Sequence, residues 1–300
     1  MNALLRMVHD NKLHLAPIGP APQRILDIGA GTGIWCIDMG DLYPSAEVIG
    51  VDISANVPAL LPPNVRFEID DVEDHWTYKS PFDFIHSCYM CGSIKDWPKL
   101  MGQCFTNLKP GGWVEFQDFD LDYYSQDGSL TPEHALRRWL TTAYDAEKYT
   151  ERSLRPGKNL EQWMREAGFV NVQAVKSLLP LGTWPKDKKL KQIGLFNWTQ
   201  LWEGLQGMSL RLYIDFLGWT REDLEVFLTE VRGDLKDSSV HAMFDLCVIL
   251  ALGFNDSGRM TLTDEQIHRL GPEAIMTRTP LPIQGESIIS DGFSTGRSCR

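Results

Sequence analysis

Gly29-Ala30-Gly31-Thr32-Gly33 alternates glycine with small side chains between two ordered stretches. Arg24 to Ile28 (RILDI) reads as a short apolar strand before it, and the stretch through Leu42 reads as a helix after it. A strand-to-helix bend needs glycine where the backbone leaves ordinary φ/ψ space, and where a ligand must touch the main chain. Glycine also suits such bends for steric reasons alone, so the motif gains its weight from an acidic partner on the neighbouring strand. Asp52 ends the next apolar run, Glu47 to Val51 (EVIGV), 23 residues after Gly29. A carboxylate there can accept both ribose hydroxyls of an adenosine.

Positioning these groups takes alternating strands and helices, and the first 120 residues have that pattern. Val65 to Ile69 and Phe82 to Ile85 read as the third and fourth strands. Lys99 to Leu108 reads as helix, Lys109-Pro110-Gly111-Gly112 as a type II turn, and Trp113 to Gln117 as the fifth strand. Further on, Thr131-Pro132 reads as a helix start, Asn159 to Gln162 as a capping box, and Gly168 as a helix stop. Val170 to Val175 and Ala242 to Leu252 read as the last strands, with helices over Leu190 to Leu217 and from Thr220. Residues 1–252 are expected to form one domain, with helical cap insertions at about 122–168 and 186–217. Residues 253–300 are expected to be a polar, partly disordered tail, with a short helix at Thr263 to Leu270 and a mostly flexible stretch from Gly271 to Arg300.

The glycine bend and Asp52 suit a nicotinamide-dinucleotide fold as well as a methyl-transfer fold. The spacing is G-x-G-x-G and not the dinucleotide G-x-G-x-x-G. Asp71 before Val72, past the third strand, is placed to accept an adenine amino group. ILDIGAGTGIW, VIGVDIS, FEIDDVEDHW, FDFIHS and LKPGGWVEF resemble the successive motifs of class I S-adenosylmethionine-dependent methyltransferases. LHLAPI, DWPKLMGQCFTNLKPGGWVEFQD, TWPKDKKLKQIG and LGWTREDLEVFLTEVR are similar to the LaeA-like methyltransferases of filamentous fungi, which serve secondary metabolism as regulators and as tailoring enzymes. The chain departs from that pattern at Cys88, where the family often has arginine, and before LHLAPI, where the family usually has more helix.

The resemblance implies a Rossmann-like α/β fold with a seven-stranded, mostly parallel sheet of order 3-2-1-4-5-7-6. It implies S-adenosyl-L-methionine across the ends of the first two strands. Gly29, Ala30, Gly31 and Gly33 would approach its methionine and ribose, and Asp27 would hold the region of the methionine amino group. Asp52 would take the ribose, Ile53 would pack on adenine, Asp71 and Val72 would read the adenine edge, and His86 would close the pocket near the sulfonium.

Methyl transfer is an in-line displacement on a sulfonium, and the protein chiefly supplies position. A hydroxyl acceptor gains from a general base. His86 and Glu115 are the catalytic candidates, each weighed against a purely structural hydrogen bond. Asp118 and Asp120 read as a solvated loop, Tyr89 and Trp76 as cleft or rim, and Trp198, Trp202, Phe216 and Trp219 as core before site. Cys88-x-x-Cys91 is a single knuckle, and a structural zinc needs two, so no metal is expected.

Composition sets the limits. The 300 residues are 43% hydrophobic and 23% charged, the balance of a globular chain. A net charge of −11 argues against a general nucleic-acid binder and leaves small substrates and protein partners open. The six cysteines (36, 88, 91, 104, 247 and 299) are irregularly spaced, and no apolar run is long enough to span a membrane. The expectation is a reduced cytoplasmic enzyme that methylates a small molecule, most readily on oxygen. The alternative is a nuclear regulator acting through protein partners; the short N-terminal stretch without a Lys/Arg cluster weighs against it.

Overall fold

A computed structural model describes residues 2–253 apart from 55, 57 and 59. The expected tail beyond Gly253, its helix at 263–270 and Cys299 lie outside the described residues. The chain runs α1 (Asn2–Val8), β1 (Arg24–Ile28), α2 (Ile34–Leu42), β2 (Glu47–Asp52), β3 (Val65–Ile69), β4 (Phe82–Cys88), α3 (Trp97–Thr106) and β5 (Leu108–Tyr124). It continues through α4 (Ala135–Asp145), α5 (Glu147–Thr150), α6 (Leu160–Glu166), β6 (Val170–Pro180), α7 (Lys188–Leu210), α8 (Arg221–Lys236) and β7 (Met243–Leu252). The sheet is seven-stranded in the order β3-β2-β1-β4-β5-β7-β6, as the resemblance implies. The strands from β3 to β5 pair in parallel, and β7 runs antiparallel to both of its neighbours.

Both faces of this sheet are covered, which is why its central strands read as continuous apolar runs. Side chains alternate between faces with period two. Ile25, Val48, Phe84, Trp113 and Leu250 enter one core. Their neighbours Leu26, Ile49, Ile85, Val114 and Ile249 enter the other. No helix of the described residues is long and apolar enough to cross a membrane.

Several elements differ from expectation for local reasons. The expected turn at 109–112 lies inside β5 as an irregularity with Gly111 at φ +75°: Leu108 already pairs with Phe82, and the ladder resumes where Trp113 faces Phe84. The strand then continues to Tyr124, because β7 offers it a long antiparallel partner. Asp118 and Asp120 therefore sit buried opposite Cys247 and Asp245, not in a solvated loop. Helix α4 starts at Ala135 and not at Thr131, because His134 Nδ1 accepts the Thr131 N–H at 3.0 Å and closes a turn ahead of the helix. Asn159 makes no side-chain cap, since its own backbone is already helical (φ −110°, ψ −12°) and a cap needs the extended region. Thr220 does cap α8, accepting from Asp223 N at 3.1 Å.

Candidate active site

The bend after β1 is held by its own backbone. Gly29 and Ala30 both donate to the carbonyl of Val51, at 2.9 and 3.0 Å, which ties β1 to β2 at their C-terminal ends. Gly31 N–H donates to Asp52 Oδ2 at 2.9 Å, and Asp52 Oδ1 accepts from Ser54 N at 2.9 Å and Ser54 Oγ at 2.6 Å. Burial works to raise the Asp52 pKa, but the hydrogen bonds from Ser54 and Gly31 win and hold it below the usual carboxylate value. A carboxylate has about four acceptor positions. Asp52 keeps one for a ligand after these three bonds.

The glycines do different work. Gly31 has φ +55°, and a side chain there would meet nothing closer than the Gly29 carbonyl at 4.0 Å, so its face is open. A side chain at Gly29 would run into the Met90 sulfur, and one at Gly33 into the Phe67 ring. Gly33 therefore serves packing and starts α2; Gly31 is the glycine that faces open space.

That space is a cleft of about 540 Å³ lined by Asp27, Gly29, Ala30, Gly31 and Asp52, among others. His86 lies at its buried end, 1% exposed. Its Nδ1 is 2.8 Å from Asp27 Oδ1, and Asp27 Oδ2 accepts the Cys36 thiol at 3.2 Å. Burial first, then the charge of Asp27, pushes the Cys36 pKa well up. Trp35 stacks on the imidazole with centroids 3.9 Å apart and planes 6° from parallel. Nδ1 must carry the hydrogen in the Asp27 bond, so Nε2 of the neutral ring is an acceptor. That Nε2 is buried with no hydrogen-bond partner among the described residues.

The residues expected at the far end of an adenosine lie outside the lining of this cleft. Ile53 is 75% exposed beyond Asp52. Asp71 is exposed, its Oδ1 accepting the Glu73 N–H, and Val72 is buried beneath Trp76, which donates its indole N–H to the Val72 carbonyl. Asp71, Val72 and Trp76 border a separate depression with Tyr78. The structure thus gathers Asp27, Gly29, Ala30, Gly31, Asp52 and His86 in one cleft, and leaves Gly33, Ile53, Asp71 and Val72 outside its lining.

Glu115 is a correction. It is fully buried and does not line the cleft. Its Oε2 accepts from Leu15 N at 2.8 Å and Ala16 N at 2.6 Å, and its Oε1 accepts from Gln117 Nε2 at 2.6 Å. A carboxylate bound by three donors holds the N-terminal segment in place and offers nothing to a substrate. That segment roofs the cleft with Asn2, Leu5, Arg6 and His9. Arg6 pairs with Asp38 of α2 at 3.1 Å, and Lys189 of α7 reaches Asp10 at 2.7 Å.

Sequence reasoning missed His9, a polar residue 7% exposed on this roof, with Nε2 3.1 Å from Gln117 Oε1. Nothing in MVHDNK marks it, because its partner lies 108 residues away. Tyr89 lines the cleft with φ +59°, its ring edge-on to Phe119. Asp118 does not line it; its oxygens accept the N–H groups of Met90 and Phe119, and burial pushes its pKa up to about 7. Trp198 and Trp202 stack on each other at 5.0 Å, and Trp219 packs on Tyr213 and Phe227, so these partly buried aromatics pack against the core and none of them lines the cleft. Among the described residues no group of three His, Cys, Asp or Glu side chains is arranged to hold a metal ion.

Residues 3–174, which contain the bend, Asp52, Asp27 and His86, match the family model described as a methyltransferase domain. The chain belongs to this methyltransferase family. Methyltransferase pytC of Aspergillus terreus is 42% identical to it over 247 residues, covering 82% of this chain and 76% of that one. A protein of Cochliobolus heterostrophus named secondary metabolism regulator LAE1 is 36% identical over 238 residues, covering 77% and 78%. Among solved structures, phosphoethanolamine N-methyltransferase 2 of Haemonchus contortus superposes with a TM-score of 0.50 at 16% identity. The match covers 84% of this methyltransferase and 52%, about half, of that chain, and it speaks for the fold alone.

The residues present fit S-adenosylmethionine, the cofactor that the sequence motifs imply. Gly31 leaves a free surface for a close approach, Asp52 retains an acceptor position, and His86 Nε2 is a buried acceptor without a donor. An adenosyl group with an ammonium-bearing tail supplies hydroxyl and ammonium donors for the last two.

Proposed function

We propose that this methyltransferase transfers the methyl group of S-adenosylmethionine to an oxygen of a small-molecule acceptor in fungal secondary metabolism. One observation carries the reading: a single cleft joins the open face of Gly31, the carboxylate of Asp52 and the Asp27–His86 pair under a roof that includes Leu5 and His9. Asp52 would hold one ribose hydroxyl through its remaining acceptor position, and the bend at Gly29 to Gly31 would lie against the ribose and methionine portions. Ile53, Asp71 and Val72 would border the adenine outside the cleft wall. When bound, the cofactor supplies an electrophilic methyl group on a sulfonium.

The chain's own share is placement and exclusion of water. Alignment alone can contribute roughly 7–11 kcal/mol of a barrier. His86 belongs with the cofactor in this reading. Its face is covered by Trp35, its Nδ1 meets Asp27, and its Nε2 is buried without a partner among the described residues, so it is placed to shape the methionine end. The oxygen preference rests on the second imidazole of the cleft lining, that of His9, since a hydroxyl must lose a proton as it is methylated and a neutral imidazole accepts one.

The test is to incubate the full chain with methyl-deuterated S-adenosylmethionine and a panel of phenols, alcohols, carboxylic acids and amines. Mass spectrometry should find the label on oxygen, with S-adenosylhomocysteine formed in equal amount. Transfer to nitrogen or carbon acceptors alone would overturn the oxygen assignment. The likeness to a protein named a secondary metabolism regulator favours a second reading, in which the cofactor-bound chain acts through protein partners. Stable co-purifying partners together with no turnover across the panel would select it.

A further inference from the structure

The buried polar chain from β5 to the roof sets the protonation of one imidazole. Glu115 Oε2 is occupied by the N–H groups of Leu15 and Ala16, and Oε1 faces Gln117. A carboxylate that accepts on both oxygens fixes the Gln117 amide with its NH₂ toward Glu115 and its oxygen toward His9. His9 Nε2 must then carry the hydrogen, and Nδ1 is the bare, basic nitrogen. Glu115, Gln117 and His9 are 0%, 2% and 7% exposed, so water does not compete for these bonds. His9 lines the cleft, and its Nε2 is the nitrogen tied to Gln117.

We propose that His9 is the proton acceptor of the transfer, with Gln117 and Glu115 as positioning residues. This rests on the oxygen-methylation reading above. As the acceptor oxygen bonds to the methyl carbon, its O–H bond breaks toward His9 Nδ1, the C–S bond breaks with its electron pair returning to sulfur, and the imidazolium passes the proton to water. The arrangement is a base oriented through its second nitrogen, with an amide between imidazole and carboxylate. The charged groups around His9 are Glu115 on β5, Lys189 on α7, His86 on β4, and Arg6, Asp10 and Lys12 on its own segment. Burial dominates their sum, opposed by Glu115 and the Gln117 bond, and holds the His9 pKa below the ordinary histidine value. The ring is neutral at pH 7 and ready to accept.

Two measurements on the full chain test this. In the ¹⁵N-histidine-labelled protein loaded with S-adenosylhomocysteine, nitrogen shifts should show His9 as the Nε2–H tautomer with Nδ1 titrating, and Gln117→Leu should abolish that preference. A proton on Nδ1 at neutral pH overturns the proposal whether or not an acceptor is known. On an oxygen acceptor from the panel, His9→Gln should lower kcat by about 10²–10⁴ and remove the acid limb of the kcat–pH profile. Its affinity for S-adenosylhomocysteine should stay within about threefold. Gln117→Leu should lower kcat less, with KM unchanged, and serves if His9→Gln does not fold. Undiminished kcat in a folded His9→Gln protein refutes the base and leaves oxygen methylation standing. Failure of the unaltered chain on every oxygen acceptor refutes oxygen methylation, and the tautomer measurement still decides the state of His9.

Discussion

The floor and the roof of the cleft are built by different means. The floor is backbone: Gly29, Ala30 and Gly31 spend their N–H groups on Val51 and Asp52, all within 24 residues of each other. The roof is side chains: Leu15 and Ala16 hang from Glu115, His9 from Gln117, Arg6 from Asp38, and Lys189 reaches Asp10, across separations of 32 to 179 residues. A backbone floor tolerates any side chain that leaves the bend intact. A roof of side chains can be changed one residue at a time, and that is where acceptor choice can vary while cofactor binding stays fixed.

The difference breaks most sharply at Glu115. Glu115→Leu strands the half-buried Leu15 N–H, the buried Ala16 N–H and the Gln117 amide, and should cost roughly 3 kcal/mol or more in stability. Urea denaturation reads the loss, and a change under about 1 kcal/mol would mean that the segment holds itself. Asp52→Ala strikes the floor. It should weaken S-adenosylhomocysteine binding by about 10- to 100-fold, measured by calorimetry, while the melting temperature moves far less than in Glu115→Leu.

Asp118 sharpens the comparison through pH. Its folded-state pKa of about 7 lies above the ordinary 3.8, so the folded chain holds a proton that the unfolded chain has lost. Its contribution to stability is complete below about pH 4, declines as the pH rises, and is gone above about 7. The stability of the unaltered chain relative to Asp118→Asn should therefore fall by about 1–3 kcal/mol from pH 5 to 7. A constant difference would mean that the carboxyl is ionised throughout. The smallest effect belongs to Arg6→Ala. Its pair with Asp38 is partly exposed, 42% and 28%, and losing it should cost under about 1 kcal/mol by thermal melting.

The floor was legible because its chemistry is local. Gly31 and Asp52 declare themselves by type and spacing, and the strand order came with the motifs around them. Gly33 looked like its neighbours, but its space is filled by Phe67 of β3, a contact no spacing reveals. Ile53, Asp71 and Val72 match the family pattern in sequence and still fall outside the cleft wall, since a motif gives an address along the chain and not a direction in space. Asp118 and Asp120 read as loop because polar residues after a strand usually are. Their burial depends on β7, more than a hundred residues on. Glu115 and His9 were misread and missed for one shared reason: each takes its role from a partner about a hundred residues away.

A crystal structure of the full chain with S-adenosylhomocysteine tests the central claim most directly. A ribose hydroxyl should meet Asp52, the nucleoside should pass over Gly31, and the amino-acid end should reach His86 Nε2. A ligand bound elsewhere, with Met90 or the N-terminal segment still filling the space above the bend, would contradict the account.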